Sequence, residues 1–231
     1  MATQVATLAP SDSSLPLYRM DVGIYNRLVA AGALDGLDVG LRDGLLVDRE
    51  HHGRPIHRLD TDTFNRMVAT GALEGERVEL LEGLLVAVSP PSPAHSTVIE
   101  ELTARLASAR ARLRVQLPLE VRPGAEPEPD VALAEGPSSA RRHPQTLLLA
   151  IEVAVSSHKR DREVKAPLYA GSGVLIYWLV DVPARTVEVY SDPGPKGYNS
   201  CEIYGLGDTV PSPAEGVPDL DVASLFDGLG D

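Results

Sequence analysis

One cysteine, Cys201, is all this chain carries, which rules out an internal disulfide and removes thiolate zinc clusters from consideration. Six histidines occur without the close pairing of a zinc site. No apolar stretch approaches the ~18 residues of a membrane-spanning helix, and Met1 to Pro16 has neither a basic n-region nor an apolar h-region. The expectation is a cytoplasmic protein with no membrane partner and a disordered leader over 1–16. Positive charge is scarce too: 21 Lys and Arg stand against 33 Asp and Glu, a formal net charge of −12. Affinity for nucleic acid comes largely from lysine and arginine on phosphates, so this balance weighs against a nucleic-acid enzyme. Basic residues do cluster at Arg105, Arg110, Arg112 and Arg114, and again from His158 to Arg160; the plain alternative is that they form solvated helix faces.

What is present is an ordinary globular composition, 43% hydrophobic and 23% charged over 231 residues. That length suits one principal core with an N-terminal appendage. The appendage is a copy. Tyr18 to Leu34 aligns with His57 to Leu73, and Asp43-Gly-Leu-Leu-Val47 with Glu82-Gly-Leu-Leu-Val86, at constant offset and with about half the positions identical. Two copies fall short of a solenoid. Each reads as a helix capped by Asp21 or Asp60, with a stripe of Ile24, Leu28 and Val29 or Phe64, Met67 and Val68, followed by a hairpin turned at Asp-Gly or Glu-Gly. The domain expectation is 17–56 for the first copy and 57–231 for the larger domain. Glu79 of the second copy aligns with Gly40 of the first, as if only the second served a site, although drift in a redundant copy explains it equally well.

Further along, Ile99, Leu102, Leu106 and Leu113 recur at helical spacing and predict an amphipathic helix from Ala94 to about Arg112, with His95 on the face of Ile99. Val115, Leu117, Leu119 and Val121 alternate as a half-buried strand would, with Pro118 marking an edge or bulge. A strand after Asp130, a strand around Glu152, a helix from about Lys159 to Ala170 and a hairpin of Val174 to Val180 with Thr186 to Tyr190 follow. Tyr198 to Tyr204 reads as a further strand and Leu220 to Leu229 as a last amphipathic element.

Within this pattern Glu152 stands alone in the run Thr146-Leu-Leu-Leu-Ala-Ile-Glu-Val-Ala-Val155. A run apolar on both alternating faces predicts a central strand covered on both sides. An ionised carboxylate there costs several kcal/mol unless a cation, a hydrogen-bond network or a metal meets it. Asp130, in Glu128-Pro-Asp130 before Val131-Ala-Leu133, falls at the mouth of a neighbouring strand, and Lys165 follows downstream.

Pro-Asp at one strand, an acid in the next and then a lysine resembles the PD-(D/E)XK nuclease superfamily, and within it the bacterial restriction-endonuclease-like family. The likeness is carried by Val78-Glu-Leu-Leu-Glu-Gly-Leu-Leu-Val86, Ser89-Pro-Pro-Ser-Pro-Ala-His95, Pro129-Asp130, Ile151-Glu-Val153, Asp161 with Lys165 and Tyr169, and Gly173-Val-Leu-Ile-Tyr-Trp178, roughly Leu59 to the C-terminus. It implies an α/β fold, a restriction-endonuclease-like mixed central sheet flanked by helices, here with the duplicated N-terminal helix-hairpin segment. It implies DNA as substrate and Glu79, His95, Asp130, Glu152 and Lys165 as catalytic candidates. Mg2+ or Mn2+ would sit on Asp130, Glu152 and the carbonyl of Val153, since magnesium takes one or two carboxylates, waters and substrate phosphate.

Each residue has a plain alternative: Asp130 a turn residue, Glu152 a buried salt bridge, Lys165 the partner of Asp161 one turn earlier, Glu79 a surface acid of the hairpin, His95 a packed histidine and Tyr169 a core residue. The sequence also departs from the family pattern. Ala154 stands where the lysine commonly follows the acid, Val155 displaces a serine, Pro167 interrupts the lysine's helix, and Ile176 replaces a polar residue before Tyr-Trp. The alternatives to an endonuclease are a catalytically inactive nuclease-fold binding protein and a dimeric interaction protein, a homodimer through its extra copy.

Overall fold

The structure, a computed structural model, describes residues 15–50, 55–109, 111–136 and 143–230. The expected leader lies outside these residues except for Leu15, which is buried, and Pro16, whose carbonyl accepts a hydrogen bond from Ala87 N–H at 2.8 Å. The chain forms two compact units: Met1–Pro90 with Arg122–Glu126, and Pro91–Val121 with Pro127–Asp231. Both copies thus fall in the first unit, whereas the second was expected in the larger domain.

In the first unit, helix α1 (Val22–Ala30) precedes the hairpin β1 (Val39–Arg42) and β2 (Leu45–Asp48), and α2 (Thr61–Ala69) precedes β3 (Val78–Leu81) and β4 (Leu84–Ala87). Asp21 Oδ1 accepts from Gly23 N–H and Asp60 Oδ1 from Thr63 N–H, so each helix starts on an aspartate that satisfies an otherwise orphaned amide. The hairpins turn at Asp43-Gly44 and Glu82-Gly83, all four at positive φ, the backbone a two-residue turn needs to match strand twist. The lead-in of each copy pairs with the hairpin of the other: Leu17 bridges Val86 and Ile56 bridges Val47. One core results, with Ile24, Leu28, Phe64, Met67 and Leu80 at its centre.

The second unit is built on six strands in the order β10-β9-β8-β7-β6-β5. These are β5 (Arg112–Val115), β6 (Val131–Ala134), β7 (Leu147–Ala154), β8 (Ile176–Asp181), β9 (Thr186–Gly194) and β10 (Gly197–Tyr204). Only β7 and β8 run parallel, because a helical crossover joins them; every other pair is antiparallel. Alternation along β7 sends Leu149, Ile151 and Val153 into a core with α3 (Pro93–Leu106), Trp178 and Phe226, and Ala150 and Ala154 into a second core with Ala166, Tyr169 and Tyr177. The sheet is thus covered on both faces, as the apolar run required.

Three local readings are corrected. The helix ends at Leu106, not near Arg112, and Arg112–Val115 is already strand β5. The alternation from Val115 to Val121 is not a strand: Gln116 adopts φ 47° and its N–H bonds the Asp130 carbonyl at 3.1 Å, which turns the chain before Pro118 could join a ladder. The last element is not one amphipathic segment but the short strand β12 (Leu220–Asp221), paired with β11 (Thr209–Val210), and two 3-10 turns, Ala223–Leu225 and Asp227–Leu229.

Candidate active site

The site is set by strand register in the second unit. The β6–β7 ladder ends at Val131 opposite Ile151. Asp130 lies one residue beyond that end, and its carboxylate turns to the Val153 N–H. Glu152 shares its face of β7 with Ala150 and Ala154, and the crossover helix lies over that face through Lys165 and Tyr169. The crossover is α4 (His158–Arg160), a π-turn Asp161–Lys165 and α5 (Ala166–Gly171). Ala166 N–H bonds the Asp161 carbonyl, a five-residue span. Pro167 accounts for the wider turn: it has no N–H for the Glu163 carbonyl and its ring would collide with that group in a regular helix. The helix is remodelled around the proline, and Lys165 points inward, 1% exposed.

Lys165 Nζ lies 2.9 Å from Glu152 Oε1, and the Tyr169 hydroxyl donates to the same oxygen at 2.7 Å. Glu152 is 4% exposed, so the ammonium and the phenol are what make its burial tolerable. Glu152 thus forms the buried ion pair of the plain reading, with Lys165. Asp161, the alternative partner of Lys165, has its carboxylate engaged by the Ser157 hydroxyl and by Arg160 Nε at 3.3 Å.

Asp130 Oδ2 accepts Val153 N–H at 2.9 Å and faces His95 Nε2 at 3.1 Å. The N–H and C=O of one strand residue leave by the same edge, so the Val153 carbonyl also faces the Asp130 side. His95 sits in the first turn of α3, started by Ser92, whose Oγ accepts His95 N–H at 3.2 Å. Its Nδ1 is buried without a hydrogen-bond partner among the described residues, so Nε2 is the nitrogen that carries hydrogen toward the carboxylate. Burial is the largest influence on Asp130 and pushes its pKa up, but the His95 hydrogen bond and charge, the Val153 N–H and the Lys165 charge together hold it below the usual carboxylate range.

That balance has a testable sign. Because the folded-state pKa is depressed, Asp130 contributes stability above its unfolded value of about 4, and loses it as pH falls through the folded value. His95→Ala removes the leading stabilisers of the carboxylate and leaves burial opposed by less. The acid limb of any activity that needs ionised Asp130 is expected to move to higher pH, read from a pH–rate profile; an unmoved limb would remove His95 from this role.

Glu79 lies in the first unit, buried in β3 opposite Val86, rather than on the hairpin surface of its plain alternative. Tyr169 was assigned to the core by sequence reasoning, yet it bonds Glu152; its place one turn after Lys165 was the available signal. A neighbouring network went unseen: Asp181 with His158 at 3.0 Å, and Arg162 with Glu188, which also accepts from Tyr190 at 2.6 Å. Three arginines of the first basic cluster have partners within the unit, whereas Lys159 of the second is 73% exposed. Arg105 pairs with Glu101, Arg112 bonds the carbonyls of Glu135 and Gly136, and Arg114 that of Pro118; Arg110 lies outside the described residues.

Comparison with known proteins follows this geometry. No curated protein matches the chain. A solved structure titled "putative nuclease belonging to DUF820", from Anabaena variabilis ATCC 29413, superposes with a TM-score of 0.55 at 21% identity, covering 66% of this chain and 90% of that one. It supports the fold. The profile of the Uma2 family, described as "Putative restriction endonuclease", matches residues 61–223, a span that takes in Asp130, Glu152 and Lys165 and leaves out the first copy. On that match, extending over more than half its length, the chain belongs to the Uma2 family.

Proposed function

We propose that the chain hydrolyses phosphodiester bonds in DNA, in the manner of PD-(D/E)XK nucleases, with Mg2+ or Mn2+ as its ion. The observation that supports the reading is the Lys165 Nζ 2.9 Å from Glu152 Oε1, beside an Asp130 carboxylate that accepts the N–H of Val153, the residue next to Glu152. The carboxylates of Asp130 and Glu152 and the Val153 carbonyl would offer oxygen donors alone, which suits magnesium. Among the described residues no group of three or more His, Cys, Asp or Glu converges, so waters and substrate phosphate would have to complete the ion's shell. Such an ion, when bound, polarises the phosphodiester and acidifies a water.

The chain's own groups do the rest. Asp130, held ionised, keeps a negative ligand in place at neutral pH. Lys165, fixed by Glu152 and Tyr169, would orient the attacking water and neutralise charge developing on the phosphoryl oxygens. His95 positions Asp130. Glu79 belongs to the reading through the resemblance of its sequence block alone. Supercoiled plasmid incubated with the purified chain and Mg2+ or Mn2+ is expected to be nicked and linearised, and chelation to stop it.

A second reading rests on charge. The net charge of −12 and the pairing of Arg105, Arg112 and Arg114 within the chain favour a catalytically inactive nuclease-fold protein that binds a partner or dimerises. Intact plasmid with both ions would decide for it.

A further inference from the structure

The two copies of the first unit differ in one respect that points to a ligand. The second copy is occupied. Residues Arg122–Glu126, which belong to this unit, lie along α2 and the outer edge of β3. Glu126 N–H bonds the Leu80 carbonyl at 2.8 Å, Asn65 Nδ2 donates to Glu126 Oε2 at 3.1 Å, Thr61 Oγ1 accepts Gly124 N–H at 3.1 Å, and Arg122 pairs with Glu82. Beneath this strap Thr61 is 7% exposed and Leu80 is fully buried.

In the first copy the corresponding surface is open. Val22, the counterpart of Thr61, is 60% exposed, and a groove of about 480 Å³ runs between α1 and β1, lined by Tyr25, Asn26, Leu41, Arg42 and Arg49. Asn26 matches Asn65, Leu41 matches Leu80 and Asp43 matches Glu82. The backbone matches as well. Leu41 faces Leu46, whose carbonyl turns outward to His57 N–H, just as Leu80 faces Leu85, whose carbonyl turns outward to Tyr18 N–H. Both are pairs without mutual hydrogen bonds, so the Leu41 carbonyl points out of the hairpin edge as that of Leu80 does. Among the described residues nothing donates to it.

We propose that this groove binds an extended peptide segment that adds to the edge of β1, with a carboxylate at the place Glu126 takes in the second copy and a basic residue four positions before it. Charge complementarity selects that occupant. Arg42 and Arg49 line the groove where the second copy has Leu81 and Val88, so a carboxylate there meets a stronger field than Glu126 does. Asp43, 84% exposed and only 3.9 Å from Arg42 Nε, stands where Glu82 pairs with Arg122 in the second copy. Backbone pairing supplies the affinity of such strand addition, and the side chains its specificity.

The test uses the full isotope-labelled chain and a capped synthetic peptide with the sequence of residues 121–127, Val-Arg-Pro-Gly-Ala-Glu-Pro. Saturable 1:1 binding is expected, with amide shifts at Asn26, Leu41 and Arg42 and none at Asn65 or Leu80, whose groove is filled. Changing the peptide's Glu to Gln, or the protein's Arg42→Glu, should weaken binding at least ~5-fold, the scale of one lost charge-assisted hydrogen bond. Absence of binding, shifts elsewhere, or indifference to both charge changes overturns the proposal. So does displacement of the peptide by a single-stranded oligonucleotide, or by the chain's own concentration-dependent dimerisation, which would identify nucleic acid or a second copy as the occupant. Because the readout is binding, it stands or falls apart from any nuclease activity.

Discussion

Asp130→Asn is expected to slow plasmid nicking by roughly 10³-fold, about 4 kcal/mol of lost transition-state stabilisation, while leaving the fold in place. The substitution keeps the volume of the side chain, and the amide oxygen can still accept the Val153 N–H that the carboxylate accepts at 2.9 Å. What it removes is the negative charge. In the wild-type chain that charge is maintained by His95 and Lys165 against the opposing pressure of burial, an arrangement with no structural benefit that an uncharged asparagine could not partly supply. Single-turnover nicking at saturating Mg2+, beside an unchanged thermal unfolding curve, measures the effect. Cleavage at the wild-type rate would take Asp130 out of the chemistry and leave it as the turn residue that a Pro-Asp dipeptide also describes.

How far the site could be read beforehand depended on which interactions a linear pattern records. The run around Glu152 recorded burial on both faces, and burial alone required a cation, a hydrogen-bond network or a metal to meet the carboxylate; the structure places Lys165 and Tyr169 on it. Order along the chain placed Asp130 at a strand mouth, but the contacts of its carboxylate with Val153 N–H and His95 are relations between separate elements and are written in none of them. The π-turn illustrates a second limit. Pro167 announced a disturbed helix, yet whether the chain would kink, end or widen was decided by Lys165 and Asp161 both having partners inside the fold. Edge behaviour was the least legible. Val115, Leu117, Leu119 and Val121 alternate as a strand does, but a single left-handed residue, Gln116, takes the last three out of the sheet, and periodicity carries no information about φ. Duplication was the strongest signal in the N-terminal ninety residues, and it gave the helix, cap and turn of each copy. It could not give the strap from Arg122–Glu126, because that segment comes from far along the chain and has no counterpart on the first copy among the described residues.

Lys165→Met should cost about 3–5 kcal/mol of stability, the usual price of leaving one member of a buried ion pair without the other. Glu152, 4% exposed, would retain the Tyr169 hydroxyl at 2.7 Å but lose the ammonium at 2.9 Å, and neutral donors compensate a desolvated carboxylate less than a paired cation does. Urea unfolding followed by fluorescence is well suited to the measurement. Trp178, the one tryptophan, is 1% exposed and packs in the core beside β7, so it reports on the unit that carries the pair. A structural pair and a catalytic lysine then separate through the double variant. Adding Glu152→Gln to Lys165→Met removes the stranded charge while keeping an acceptor for Tyr169, so most of the lost stability should return, a coupling of at least ~2 kcal/mol. Nicking should stay abolished in the same double variant, since neither the acid nor the ammonium is present. Recovery of stability without recovery of cleavage would assign both roles to one pair; a single variant as stable as the wild type would mean that Glu152 finds its compensation elsewhere in the core.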